Sequence, residues 1–222
     1  MLKKKQILWS MLTVILLICT TSISASTHGE QHSSSTTEYS FVVSSSFGSL
    51  RQPAEFEPME GVLIRYPFGI SYSIIKEMAE DVNVVTIVAS ASEKNTVLTQ
   101  YQNQGVDISH CSFLIAPTDT HWTRDYGPWF IITEDDVQGV VDFTYNRPRP
   151  NDDQIPTQYA NNQSLPVFDM PLVATGGNYM TDGQGIAIST TLIWEENTGY
   201  SHEQINEIVQ QYLGIDTYHV VP

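Results

Sequence analysis

Short apolar runs alternate with helically spaced residues through the middle of this chain. Three runs predict buried strands, at residues 61–66, 82–89 and 111–115. The stretches between them predict helices, at residues 71–81 and 92–104. In the first of these helices Ile74, Ile75 and Met78 recur at helical spacing, and Gly105 ends the second. Because the order is βαβαβ, the pattern predicts an α/β protein.

Beyond residue 128 the pattern changes to paired strands. Two hairpins are predicted, at residues 129–145 and 178–191. A loop of about 19 residues, rich in Pro, Asn and Asp, is predicted at residues 146–164. A helix over residues 201–213 ends at Gly214, and residues 217–221 predict a last strand.

The N-terminal region reads as a targeting segment. Lys3 to Lys5, an apolar run to Cys19 and small residues after it predict a signal peptide over residues 1–25, and so a secreted or extracytoplasmic protein. An uncleaved membrane anchor and a lipoprotein acylated at Cys19 are the alternatives. Residues 26–50 are rich in Ser and Thr and predict a flexible segment. Residues 51–222 then form the folded domain.

Charge and cysteine content narrow the possible partners. After residue 25 the chain holds all 25 acidic residues and seven of the ten Lys and Arg, a formal charge of −18. Nucleic acid is therefore not an expected partner, whereas a cationic substrate is favoured; a role in solubility alone is the alternative. Cys111 is the one cysteine after residue 25, and we interpret it as buried and structural. No His spacing matches a metal site, and Asn151-Asp152-Asp153 is interpreted as a solvated turn.

The segment HWTRDYGPW at residues 121–129 carries the clearest chemistry. Asp125 stands among aromatic residues, and a planar cation needs a carboxylate for its edge and a π-face for stacking. Alternatively, Asp125 pairs with Arg124 within a rigid turn.

A second cluster lies at residues 145–150, YNRPRP. The prolines predict that Arg147 and Arg149 are extended and point the same way, so that both could bind one carboxylate. A solvated loop is the alternative. The paired glycines Gly176 and Gly177 permit close approach of a ligand or neighbour, or simply a tight turn.

Together these motifs resemble the agmatine deiminase and bacterial peptidylarginine deiminase superfamily. The resemblance covers about residues 50–222 and includes PAEFEP (53–58), WTRDYGP (122–128), DFTYNRPRP (142–150) and TGGN (175–178). The RPR segment and the signal peptide resemble the secreted, Porphyromonas-type branch. The resemblance implies an α/β fold of the pentein type, a propeller of ββαβ repeats, of which this chain holds about three of five blades.

The resemblance also implies a function without cofactor or metal. A cysteine thiolate attacks the guanidinium carbon, a histidine protonates the departing ammonia, and water hydrolyses the thiouronium to a ureido product. Asp125 would bind the guanidinium, Trp122 would line the side-chain slot, and Arg147 and Arg149 would bind the carboxylate of a C-terminal arginine. Arginine-containing peptides or proteins, or a small guanidinium compound, are the implied partners.

One departure leaves the activity open. The family's His-x-Asp and nucleophilic Cys follow further along the chain, and His219 is followed by Val220, Val221 and Pro222 instead. We therefore expect a C-terminally truncated deiminase, inactive as this chain. A non-catalytic secreted remnant that binds arginine-ended peptides and an agmatine deiminase, which yields N-carbamoylputrescine, are the alternatives.

Overall fold

The structure is a computed structural model that describes residues 49–222, so the predicted signal peptide and nearly all of the predicted flexible segment lie outside the described residues. The described part contains three separate three-stranded sheets, which follow one another along the chain. Within residues 49–222 no helix combines the length and apolar character needed to cross a membrane.

The first sheet confirms the predicted βαβαβ run. Its parallel strands are β1 (Gly61–Arg65), β2 (Asn83–Val88) and β3 (Cys111–Ile115), in that order across the sheet. The connecting helices are α1 (Tyr72–Asp81) and α2 (Ala91–Gln104). Helix α2 begins where the Ser90 side chain accepts a hydrogen bond from the Glu93 amide at 3.2 Å, and Gly105 ends it in a left-handed conformation with φ of 70°.

The second sheet contains the first predicted hairpin and a strand that the pattern missed. Strands β4 (Trp129–Ile132) and β5 (Gln138–Tyr145) are antiparallel, after a four-residue helix, α3 (Thr123–Tyr126), and β5 pairs in parallel with β6 (Val167–Ala174). Pro171 within β6 disguises the strand, because proline cannot donate to a ladder. The structure tolerates Pro171 because β6 is an edge strand of the sheet. In addition, the pairing register with β5 shifts between Met170 and Val173, and Pro171 lies within that shift.

The predicted long loop at residues 146–164 is wrong. It contains two short helices, α4 (Pro150–Asp153) and α5 (Ile155–Gln163). Pro150 and Pro156 lie in the first turns of these helices, where the missing amide hydrogen is not needed. Ile155 and Ala160 are fully buried, so the helices pack on the domain rather than extend into solvent.

The third sheet confirms the second hairpin, the last helix and the last strand. Its strands are β7 (Tyr179–Thr181), β8 (Ile186–Thr190) and β9 (Thr217–Val221), and α6 (Leu192–Glu196) and α7 (His202–Leu213) connect β8 to β9. Ser201 and Gln204 form a reciprocal capping box at the start of α7, and Gly214, with φ of 67°, ends it. One apolar core covers the second and third sheets and includes Met170 and Leu172 of β6 and Ile205 and Val209 of α7.

The segment before β1 joins the second sheet to the third. Arg51 forms an isolated antiparallel bridge with Ile132 of β4. The Tyr179 hydroxyl of β7 donates to the buried side chain of Gln52 at 2.6 Å. The predicted site residues lie in the connection between β3 and β4, in the segment after β5 and in the turn after β6.

Candidate functional site

A buried carboxylate anchors the loop that leads to the site. Asp152 of α4 is fully buried, and its Oδ1 accepts hydrogen bonds from the amides of Asp119 at 2.7 Å and Thr120 at 3.1 Å. Its Oδ2 accepts the Thr120 hydroxyl at 2.7 Å. The interpretation of residues 151–153 as a solvated turn is therefore wrong for Asp152. Buried carboxylates require such partners, and three donors satisfy this one.

Helix α3 then presents Asp125. The Asp125 amide donates to the Trp122 carbonyl at 2.9 Å. The next residue, Tyr126, is fully buried and donates its hydroxyl to the Thr120 carbonyl at 3.2 Å. Asp125 itself is only half-buried. The Asp125 carboxylate therefore lies near the surface, on a turn that the buried side chain of Tyr126 holds in place.

The paired glycines allow a tight turn to contact Asp125. Residues Gly176–Asn178 form a 3₁₀ turn after β6. A Cβ at position 177 would lie 2.5 Å from Asp125 Oδ1, closer than any side chain permits. The Thr175 hydroxyl also donates to the Asp125 carbonyl at 3.4 Å. Both possibilities raised for the glycines, a tight turn and a packed neighbour, are therefore realised.

The structure decides against the alternative that Asp125 pairs with Arg124. The guanidinium of Arg124 forms its salt bridge with the Glu55 carboxylate. Within residues 49–222 Asp125 takes part in no salt bridge. A carboxylate that is half-buried and not neutralised by a neighbouring base is suited to bind a cation from solution.

Tyr145, at the end of β5, contacts Arg149 and is influenced by the charge of Asp125. Tyr145 is 5% exposed, and its hydroxyl accepts a hydrogen bond from Arg149 Nη1 at 3.2 Å. Burial raises the pKa of Tyr145, the Arg149 hydrogen bond lowers it, and the negative charge of Asp125 raises it. Asp125 and Arg149 therefore act on the same phenol, although the sequence assigned Tyr145 no role.

Arg147 and Arg149 differ in their surroundings. Arg149 is half-buried against Tyr145, whereas Arg147 is exposed and its Nη1 donates to the Asn146 carbonyl at 3.5 Å. The expectation of an extended segment is wrong, because residues 146–148 bend and the Arg149 amide donates to the Arg147 carbonyl at 2.7 Å. Such a bend is compatible with Pro148, whose ring restricts φ but accepts a turn position.

Trp122 precedes α3 and is 52% exposed. Its ring lies 4.8 Å from the ring of His121 at an interplanar angle of 30°. The structure thus places Arg149 against Tyr145, whose pKa the charge of Asp125 also raises, and leaves Trp122 and Arg147 exposed.

Cys111 has the properties of a structural thiol. It is half-buried rather than buried, and burial raises the pKa of its thiol to about 11. The thiol donates to the Asp107 carbonyl at 3.4 Å, and the adjacent His110 binds the Ala79 carbonyl through Nδ1 at 2.7 Å. A protonated thiol is a poor nucleophile. Across residues 49–222 no group of three or more His, Cys, Asp or Glu side chains converges as metal ligands would.

Comparison with solved structures identifies the fold. An agmatine deiminase of C. jejuni with substrate bound superposes with a TM-score of 0.64 at 16% identity, over 77% of this chain and 55% of the other. The agmatine deiminase of Enterococcus faecalis gives a TM-score of 0.63 at 20% identity, over 78% of this chain and 53% of the other. The described residues therefore have the α/β fold of these deiminases.

Comparison of sequences identifies the family. The agmatine deiminase of Ectopseudomonas mendocina (strain ymp) is 27% identical over 168 residues, which cover 68% of this chain and 44% of that protein. The chain spans about half the length of the curated relatives it matches. The sequence profile of the Porphyromonas-type peptidyl-arginine deiminases matches residues 51–222. The chain therefore belongs to the Porphyromonas-type peptidyl-arginine deiminase family.

Proposed function

We propose that residues 51–222 form the guanidinium-binding part of a deiminase that converts an arginine-type guanidinium group into a ureido group and ammonia. The observation that carries this proposal is the carboxylate of Asp125. It is half-buried, it takes part in no salt bridge within residues 49–222, and a buried neighbour holds its turn in place.

Charge and shape both favour a planar cation at this carboxylate. The formal charge of −18 after residue 25 raises the local concentration of cations around the protein. Asp125 can accept two hydrogen bonds from adjacent guanidinium nitrogens, and the exposed indole of Trp122 offers a surface for stacking. Together these contacts would orient the guanidinium carbon for attack.

The chain's own cysteine does not supply that attack in this proposal. With a thiol pKa of about 11, Cys111 is protonated at neutral pH. In the family mechanism a different cysteine forms a bond to the guanidinium carbon, and ammonia leaves with a proton from a histidine. Water then displaces the thiol to give the ureido product. In the proposed activity, the residues of this chain contribute the binding of the substrate.

Two substrates remain candidates. Arg149 and the exposed Arg147, two positions before it, favour a peptide that ends in arginine, because guanidinium groups bind carboxylates through paired hydrogen bonds. Agmatine has no carboxylate for these arginines to bind, but the similarity of this chain to agmatine deiminases supports it as a substrate. We propose the arginine-ended peptide as the substrate, and agmatine as the second candidate.

We also propose that the three sheets correspond to three blades of a five-bladed pentein propeller, and that residues 1–25 direct export. The supporting observations are the repeated three-stranded sheets and the basic, apolar and small-residue regions of residues 1–25. Cell fractionation with detection of the mature N-terminus by mass spectrometry tests export. Retention of the whole chain in the cytoplasm would contradict it.

Calorimetry on the 222-residue chain tests the binding proposal. The ligands are agmatine, a dipeptide ending in arginine, the amide of that dipeptide, and the matching citrulline dipeptide. Asp125→Asn should abolish binding of every guanidinium ligand, and Asp135→Asn, in an exposed turn, is the matched control. The double variant Arg147→Ala and Arg149→Ala should lose the arginine dipeptide and retain agmatine.

The outcomes separate the hypotheses. If the chain binds the citrulline dipeptide as tightly as the arginine dipeptide, the guanidinium site is wrong. If the amide of the arginine dipeptide binds as tightly as the free acid, Arg147 and Arg149 do not bind the terminal carboxylate. Agmatine then becomes the favoured substrate. Release of citrulline by the chain itself would rule out a binding protein without catalysis.

A further inference from the structure

The side chain of Arg124 holds the turn that contacts the Asp125 carboxylate. Its Nε donates to the Gly176 carbonyl and its Nη2 to the Tyr179 carbonyl, both at 2.9 Å. The same guanidinium forms a salt bridge with Glu55. One side chain therefore joins α3 to both ends of the 3₁₀ turn and to the segment before β1.

The backbone of Arg124 is equally close to this turn. A Cβ at position 176 would lie 2.1 Å from the Arg124 carbonyl oxygen, so only glycine fits there. The next glycine, Gly177, lies against Oδ1 of Asp125. Since the side chain of Arg124 fixes the carbonyls on either side of Gly177, it also fixes the surface against which the carboxylate rests.

We propose that Arg124 is a positioning residue that orients Asp125 for two-point recognition of a planar guanidinium. This inference rests on the proposed function of Asp125. An arginine is required because its donors are fixed in one plane and can reach two carbonyls and a carboxylate at once. Lysine retains the charge but not that geometry, and glutamine retains a donor but not the charge.

A pair of ligands separates orientation from simple attraction. Agmatine and 1,4-diaminobutane both carry positive charge at each end, but only agmatine presents a planar group that needs an aligned carboxylate. We expect Arg124→Lys and Arg124→Gln to weaken agmatine binding at least about tenfold and to change diamine binding less than about twofold. Calorimetry at constant ionic strength measures both, and a melting curve verifies that each variant is folded.

Arg51→Gln is the matched control. Arg51 has a similarly exposed side chain, 48% against 51%, and it also pairs with a glutamate and a backbone carbonyl, Glu57 and Gly183. Within residues 49–222 it forms no hydrogen bond with the turn at Gly176–Asn178. Its loss should therefore leave the preference for agmatine over the diamine unchanged.

A readout without ligand distinguishes a failure of this inference from a failure of the proposed function. The Asn178 amide donates to the Thr175 carbonyl at 3.0 Å within the turn. We expect its hydrogen exchange to accelerate at least about tenfold in Arg124→Gln and to remain unchanged in Arg51→Gln.

Each result has a defined meaning. Unchanged exchange at Asn178, or an unchanged preference for agmatine in folded Arg124 variants, overturns the positioning role. An equal loss of agmatine and diamine binding also overturns it, because a general structural effect would then suffice. If the unsubstituted chain has no preference for agmatine, the proposed function fails by itself, and faster exchange would still support Arg124 as the residue that holds the turn.

Discussion

Oδ1 of Asp125 lies 2.5 Å from the point where a Cβ at position 177 would stand. Real Cβ atoms do not approach other atoms so closely, so the carboxylate occupies space that exists because residue 177 is glycine. The relationship joins two residues that lie 52 positions apart in the chain, counted from the printed sequence. It also makes Gly177 a direct probe of the site.

Gly177→Ala should therefore displace the Asp125 carboxylate and weaken agmatine binding by about tenfold or more, equivalent to about 1.4 kcal/mol. Calorimetry gives the affinity. Gly199→Ala is the control, because no atom lies within 4 Å of a Cβ at that position. Equal affinities of the two variants would show that the close contact has no bearing on binding.

Trp122 should contribute only modestly. A cation over an exposed aromatic face gains about 0.5–1 kcal/mol, so Trp122→Ala should weaken guanidinium binding about two- to fivefold. Trp122→Phe should recover part of the loss. Since the side chain is 52% exposed, the melting temperature should change little. A loss greater than about fiftyfold, measured by calorimetry, would mean that the indole is enclosed in the bound state.

Asp152→Asn should destabilise the fold by about 1–3 kcal/mol, because the amide nitrogen replaces an oxygen that accepts the Thr120 hydroxyl. Urea unfolding at neutral pH measures this change. Asp135→Asn, in an exposed turn, should remain within about 0.5 kcal/mol of the unsubstituted chain. If both variants unfold alike, Asp152 is not the anchor of the loop before Trp122.

Cys111 should react slowly with iodoacetamide. A pKa of about 11 lowers the thiolate fraction at pH 8 by roughly two hundredfold relative to an unperturbed thiol. The greater nucleophilicity of a more basic thiolate offsets about tenfold of this, which leaves a rate about twentyfold below that of an accessible cysteine. The rate should increase as the pH rises towards 11, since deprotonation is the limiting factor.

Mass spectrometry of the Cys111 peptide measures that rate, and the same chain in urea provides the reference. If Cys111 reacts as fast in the folded state as in urea, its thiol is not protected by burial. Cys111 would then again be a candidate nucleophile.

The sequence predicts most helices and strands correctly because the residues that begin and end these elements lie within or next to them in the chain. Gly105 and Gly214 end their helices through left-handed conformations, and Ser201 begins α7 through a capping box. Strand β6 and helices α4 and α5 contain proline, a residue more typical of loops, so the sequence pattern does not indicate them. Pro171 lies at a register shift on an edge strand, and Pro150 and Pro156 lie in first turns, where proline is accommodated.

The candidate site shows the same division. The motif around Asp125 and the paired glycines indicated cation binding and close approach from residue types alone. The burial of Asp152 and the contact of Tyr145 with Arg149 had no signal in the sequence, since an acidic turn and a strand-end tyrosine are usually exposed. Only their packing partners, 32 and four residues away, gave them their roles.

Residue type, spacing and net charge alone determined that this chain is an α/β protein with an acidic, cation-attracting character, and the resemblance of its short motifs indicated the deiminase family. These properties follow from hydrophobic periodicity and short motifs, which depend on nearest neighbours along the chain. The tertiary structure decided which bases and acids pair: Arg124 with Glu55, Arg149 with Tyr145, and Asp125 with no base among residues 49–222. Such pairings depend on distances through space, which folding sets and sequence order does not.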